Sequence, residues 1–269
     1  MQFNWKKTGL VTIDLLLGAY IILAFTAFNK PDEEMRLCTK VSINIQDESK
    51  NGFINAKEIK TRLEKAHLYP LSKKMSAVNA RKIEETLKKS PFVKTAQCYK
   101  TQDGTVCINL TQRMPIVRIK SVNGEDYYVD DKNSIMPNSH YTSDLIIATG
   151  CVSKAFAQSH IAILAKTLME NNFWKNQIVQ INVTAEKGIE LVPRVGNHII
   201  YIGELPKYDK RQNGASVIKD FTEKKLLRLE KFYKYGLSQA GWNKYSYINL
   251  EFDNQIICKR RKETKNTEQ

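Results

Sequence analysis

The chain has 269 residues, with 42 Lys or Arg against 28 Asp or Glu, a formal net charge of +14. A basic surface suits nucleic acid, anionic lipid headgroups or an anionic wall. The lysines are spread along the sequence, with no Arg-rich helix and no aromatic-interleaved RNA motif, which argues against a nucleic-acid module. No phosphate-binding glycine loop, HExxH or GxSxG occurs, so the sequence offers no catalytic constellation.

The N-terminus carries a mostly apolar run of 19 residues, Leu10–Phe28, preceded by Lys6 and Lys7. At 1.5 Å per residue a helix there reaches about 28 Å, close to a bilayer's hydrocarbon core. The run is long for a signal peptide and no clean small-x-small cleavage site follows it. The expectation is a single uncleaved transmembrane helix over 10–28, between a tail over 1–9 and a linker over 29–37. Nearby basic residues barely discriminate the orientation; long domains translocate largely regardless of charge, which favours a cytoplasmic N-terminus with the large part outside. Asp14 reads as a carboxylate near the headgroups or as an intramembrane partner contact.

Lys40–Ile45 alternates as a strand. Asn55 is a candidate N-cap for a helix with Ile59, Leu63 and Ala66 on one face. A second helix is expected over 77–88, with Val78, Ile83 and Leu87 inward and Glu84 and Glu85 on its outer surface. Ser90-Pro91 stops it. Two alternating runs then flank Asp103-Gly104, a strong hairpin signal, and leave through Gln112-Arg113-Met114-Pro115, a hinge into the next domain.

The remainder reads as α+β with a mostly antiparallel sheet. Strands are expected at 145–148, 178–183, 189–192, 199–202, 246–252 and 255–259, with helices over 156–171 and 223–235, the latter stopped at Gly236. Asp130-Asp131-Lys132-Asn133 resembles a calcium loop but lacks its glycine and distal glutamate, which favours a turn. The four histidines, His67, His140, His160 and His198, lack metal-ligand spacing, and no CxxC occurs among the five cysteines. Cys98 and Cys107 lie on the two hairpin strands. A four-residue loop, Thr101–Gly104, sets them opposite each other and leaves a cross-strand disulfide open in an oxidising compartment; a two-residue loop sets Cys107 against Lys100 instead. Two free, half-buried thiols are the other reading.

The order β-α-α-β-β after one anchor resembles a POTRA domain. Ile83-Glu84-Glu85-Thr86-Leu87, then Ser90–Ala96, then Gln112–Ile119 (QRMPIVRI) resemble the cell-division family FtsQ, also called DivIB. Tyr127–Asp130 with Met136-Pro137, Phe173-Trp174, Ile189–Gly203 and Tyr247–Leu250 continue the likeness to a Bacteroidetes-type branch. The dense run Lys259–Lys262 and the polar residues after it read as a basic tail over 259–269 at the end of the fold. The resemblance implies a POTRA domain over 38–114 and a C-terminal β domain over 115–258. It implies a non-enzymatic divisome scaffold of the cell inner membrane, N-terminus cytoplasmic and main domains periplasmic, at the division septum. It further implies binding of FtsB and FtsL-like proteins through the terminal strands, with no cofactor, no metal and no nucleic acid. Carried over by position, the partner edge is Tyr247, Ile248, Asn249, Leu250, Glu251 and Phe252, with Gly203 and Glu204 beside an inserted loop, 205–214. For Tyr247 and Leu250, ordinary sheet core is an equal reading. A POTRA-type envelope transport factor and a membrane-anchored wall enzyme are the alternatives, the first usually carrying several repeats or a barrel, the second needing the missing catalytic residues.

Overall fold

The computed structural model describes residues 5–25, 36–46, 53–139, 144–209 and 211–261. Helix α1 spans Trp5–Leu23. No helix among the described residues is long and apolar enough to cross a membrane, which corrects the expected spanning helix over 10–28. The physical reason is that α1 starts early and takes in Lys6 and Lys7, leaving only Leu10–Leu23 as its apolar part. That is 14 residues with Asp14 among them, short of the roughly 20 that a crossing needs. Residues 26–28 of the apolar run lie outside the described residues.

Beyond α1 the first unit is built from β1 (Lys40–Ile45), α2 (Ala56–Lys65), a single 3₁₀ turn (Met75–Ala77), α3 (Ala80–Lys88), β2 (Val93–Lys100) and β3 (Thr105–Gln112), the order expected from the sequence. The strands form a three-stranded sheet in the order β1-β3-β2, with β1 parallel to β3. Asn55 caps α2 as expected, its Oδ1 accepting from Glu58 N at 2.8 Å. Asn79 caps α3 in the same way through Lys82 N, which moves the helix start from 77 to Ala80. Ile59, Leu63, Ile83 and Leu87 are buried on the helices, as are Ala96, Val106, Ile108 and Leu110 on the strands.

The β2–β3 turn differs from both registers considered above. Thr101 N bonds Thr105 O at 2.9 Å and Gly104 N bonds Thr101 O at 3.3 Å, with Gly104 at φ +85°. This is a three-residue loop, Gln102–Gly104, closed by a glycine in the left-handed region. Thr95 and Thr111 hydroxyls meet across the strands in the same register. Cys98 therefore faces Ile108 on the buried side, while Cys107 lies on the opposite face with Tyr99. Both thiols are free, which corrects the proposed disulfide. Burial pushes the Cys98 thiol up to about 11, with the Glu84 charge adding to it.

The second unit contains β4 (Pro115–Ser121), β5 (Asp126–Asp130), β6 (Ile135–Pro137), β7 (Ile146–Gly150), α4 (Lys154–Phe156), α5 (Ala162–Glu170), α6 (Trp174–Gln177), β8 (Ile178–Val183), β9 (Gly188–Pro193), β10 (Ile199–Glu204), α7 (Gly214–Phe232), α8 (Ser238–Ala240), β11 (Tyr245–Asn249) and β12 (Ile257–Arg260). Its nine strands form one sheet in the order β12-β11-β10-β9-β8-β7-β4-β5-β6. The sheet is mixed and mostly antiparallel, as expected: five of its eight pairings are antiparallel, while β4–β7, β7–β8 and β10–β11 are parallel. Helical crossovers between β7 and β8, and between β10 and β11, bring the chain back in the same direction.

One face of the sheet is covered. Val117, Ile119, Ala148, Ile181, Leu191, Ile200 and Ile248 pack with Ile161, Leu164 and Leu168 and with Ile218, Leu226 and Leu229 of α7. Helix α7 begins well before the expected Glu223, because Asn213 caps it and Ile218 and Thr222 extend its buried face backwards. Gly236 does not end the helix. A wide π-turn over Tyr233–Leu237 carries the chain into α8, and Gly241, at φ +94°, takes the terminating position. A second π-turn over Ala157–Ile161 joins α4 to α5.

Candidate functional site

No group of three or more His, Cys, Asp or Glu among the described residues is placed to hold a metal. Asp130 is built into a turn: its Oδ1 accepts from Lys132 N and Ser134 N, and its Oδ2 accepts from Arg113 Nε at 2.8 Å. Arg113 also donates to Pro91 O and Ile135 O, and Gln112 Oε1 accepts from Ile54 N. The Gln-Arg-x-Pro exit is thus a set of fixed contacts inside the second unit. Glu84, read as helix surface, instead turns inward to accept from the Cys98 N–H at 2.8 Å.

The expected partner strand does not form the sheet edge. β11 is paired on both sides, with β10 (Ile199↔Tyr247, Tyr201↔Asn249) and with β12 (Tyr247↔Lys259, Asn249↔Ile257). Ile248 and Leu250 are fully buried core. Tyr247 and Asn249 are half-buried on the other face, whereas Glu251 and Phe252 are exposed past the strand's end. The edge is β12, which sequence reasoning placed next to the site rather than at it. The signal that was available is the short, charge-rich run Ile257–Arg261, a common dressing of edge strands.

Backbone alternation defines what β12 offers. Leu250 N turns toward Tyr201 O at 2.8 Å, so the backbones of Asn249 and Tyr247 turn toward β12. They meet Ile257 and Lys259 there, which leaves the N–H and C=O of Cys258 and Arg260 directed to the open side. On the helical side, Phe232, Tyr235, Gln255 and Ile256 line a groove beside the strand.

Both ends of the β11–β12 hairpin are tied to the body of the unit. At the turn, buried Lys225 donates from Nζ to Leu250 O (3.0 Å), Glu251 O (2.7 Å) and Asp253 Oδ1 (3.1 Å). Three acceptors offset the desolvation of its ammonium. Lys225 holds the Asp253 carboxyl below its ordinary range through that hydrogen bond. Arg228 adds bonds to Leu250 O and Gln255 O. At the far end, Arg261 N bonds Lys244 O, Arg261 Nε bonds Asn243 O, and its Nη2 reaches Asn197 O. The next residue, His198, is buried with Nε2 at 2.7 Å from Tyr233 Oη. Burial lowers its pKa, and the Arg261 charge lowers it further.

Residues 36–111 match the POTRA-like domain, and residues 114–259 match the family described as FtsQ/DivIB, C-terminal related. The chain belongs to the FtsQ/DivIB-related family. No curated protein matches it. Its FtsQ/DivIB-like domains point to a divisome scaffold role, within a family of non-enzymatic division scaffolds.

In this FtsQ/DivIB-related sheet, Tyr247 ends a polar ladder across the uncovered face. Gln180 Nε2 donates to Thr149 Oγ1, which donates to Asn182 Oδ1, and Asn182 Nδ2 donates to Glu190 Oε2. Burial pushes the Tyr247 hydroxyl up to about 12, helped by Glu190. The ring stacks on Tyr201 at 6.2 Å. Gly203, at φ +88° in a β-bulge, lies with its Cα against Glu251: a Cβ placed there would fall 3.5 Å from Glu251 Cγ. Glu204 is exposed. The predicted residues thus gather at one corner of the sheet, with β12 as the missing member.

Proposed function

We propose that the protein is a division-site scaffold that takes an extended segment of an FtsB–FtsL-like partner onto the open side of β12. The observation that carries this reading is a sheet edge tied down at both ends, with the backbone groups of Cys258 and Arg260 free of the β11 ladder. Main-chain bonds then supply affinity, and alternate side chains supply specificity. Lys259, Arg260 and Arg261 favour an acidic segment. The groove at Tyr235 and Ile256 takes an apolar side chain. Glu251, Phe252 and Glu204 flank the seat, Tyr247 and Asn249 present side chains through the uncovered face, and Gly203 admits Glu251. Ile248 and Leu250 act only by holding β11 straight.

Two working parts, 38–114 and 115–258, and residence at the inner membrane of the septum belong to the same proposal. The apolar side chains of α1 support the membrane arm, since Leu15, Leu16 and Tyr20 are 70%, 71% and 68% exposed and nothing among the described residues packs over them.

The test is capture of the FtsB–FtsL-like pair by the full chain carrying Cys258→Pro. Proline removes an outward N–H while leaving the β11 bonds intact, and an edge strand tolerates it. Capture is expected to disappear with the thermal unfolding midpoint nearly unchanged. Undiminished capture overturns the edge assignment, and a fluorescent fusion spread evenly around the envelope through the cell cycle overturns the division role.

A further inference from the structure

One end of the first unit gathers basic side chains around the loop after α2; of these, Arg36 donates from Nη1 to Gln102 O in the β2–β3 turn and stays exposed. The chain enters the unit at Arg36 and Leu37, which lie against the loop after α2. Met75 N bonds Arg36 O, Leu37 bridges Lys74, Cys38 N bonds Lys73 O, and Ser72 N bonds Cys38 O. Lys73 Nζ reaches across to His67 O at 2.6 Å, beside Lys65 in the last turn of α2. These contacts place Arg36, Lys65, Lys73 and Lys74 on one exposed surface. Of its acidic neighbours, Glu64 lies 3.8 Å from Lys60, and Asp103, which accepts from Thr101 and Thr105, keeps its charge; the four cations outnumber it and the surface remains net basic. Set into this basic surface are two exposed leucines, Leu37 at 52% and Leu71 at 43%. His67 and Ser72 hold the loop in shape at φ 57° and 61°.

Cations around exposed apolar side chains match the headgroup region of an anionic bilayer, where each Lys or Arg gains by proximity and leucines dip below the phosphates. The chain places the surface near such a membrane. Ten residues, 26–35, separate Phe25 from Arg36, a reach of at most about 40 Å from the uncovered apolar helix α1. We propose that this end of the POTRA-like unit, Arg36–Leu37 with 65–74, docks onto anionic lipid headgroups and so fixes how that unit meets the membrane. The inference rests on the membrane arm of the function proposed above.

The test is hydrogen exchange, read by mass spectrometry, on the full chain with vesicles of phosphatidylcholine alone or mixed with phosphatidylglycerol. Anionic vesicles should slow exchange across 64–77, while the β11–β12 segment stays as it is without lipid. High salt should reverse the slowing. Lys65→Glu with Lys74→Glu should weaken binding to anionic vesicles, by about fivefold per residue. The paired Lys→Arg changes keep charge and should keep protection, which separates charge from folding. Free exchange across 64–77 on a chain bound to both vesicle types overturns the docking and leaves the membrane reading standing. Equal slowing on neutral vesicles overturns the headgroup preference. A chain that binds neither vesicle overturns both.

Discussion

The nine-stranded sheet has two edges, and they are finished in opposite ways. β6 is three residues long, ends in Pro137, and has the Ile135 carbonyl occupied by Arg113. Next to it Arg118 grips Asp126 through two bonds, and Asn138 bridges the pair. β12 has no proline, and its supports lie at the ends of its hairpin rather than along its open side. One edge is closed by side chains; the other is held at both ends, and among the described residues nothing pairs with its outer side. A protein with no use for an open edge has reason to close it, since unpaired strands invite aggregation. The contrast is therefore the strongest internal argument that β12 receives a strand.

The comparison can be broken in graded steps. The largest stability effect is expected at the closed edge. Arg113→Met leaves the Asp130 carboxylate, whose side chain is 3% exposed, without its cation and should cost about 3 kcal/mol in denaturant unfolding. Partner capture should survive in whatever fraction remains folded. At the open edge, Lys225→Met should cost about 2 kcal/mol, because Leu250 O loses its buried donor. Here the loss should be local: faster exchange across 250–260 and weaker capture, with exchange near β6 unchanged. If Lys225→Met speeds exchange at both edges alike, the tie at the β11–β12 turn is not a separate device.

Smaller effects sharpen the same contrast. Phe252→Glu should weaken capture while moving stability by less than about 0.5 kcal/mol, as an exposed change away from the core; unaltered capture would remove Phe252 from the seat. His198 supplies a pH arm. Its folded pKa lies below its unfolded value, so the unfolded chain binds the proton more readily. The stability it contributes is complete above the unfolded pKa, near 6.5, and is lost as pH falls through the folded one. His198→Gln should flatten the decline of the unfolding midpoint on acidification below that point. An unchanged decline assigns the acid sensitivity elsewhere, for instance to His160, whose pKa burial also lowers.

The first unit was legible nearly element by element, because Asn55, Ser90-Pro91 and Asp103-Gly104 are local signals and β2 and β3 form a hairpin of neighbours in sequence; only the parallel pairing of β1 with β3 is long-range. The second unit was legible as elements but not as an order. The last two strands were expected, but the partner edge was assigned to Tyr247–Phe252 rather than to the strand after it, because the apolar alternation of Tyr247–Leu250 outweighs the short, charge-rich Ile257–Arg260. The start of α7 and the passage through Gly236 were also missed. A backbone turn that widens to a π-helix leaves the residue pattern almost unchanged while shifting which residue ends the helix. Lys225 was hidden for a related reason: a lysine on a helix reads as solvent-facing until the carbonyls that surround it are brought in from 25 residues away.

The turn at Gln102–Gly104 is small and partly exposed, the kind of loop that usually accepts insertions. Its length here decides which set of side chains on β3 faces the helices. One residue more or fewer would have to be absorbed as a bulge, or Val106, Ile108 and Leu110 would trade places with Cys107, Asn109 and Thr111. Relatives that keep this hairpin should therefore vary Gln102 freely while preserving the count, whereas Asp103, whose carboxylate accepts from Thr101 and Thr105, is held by the turn.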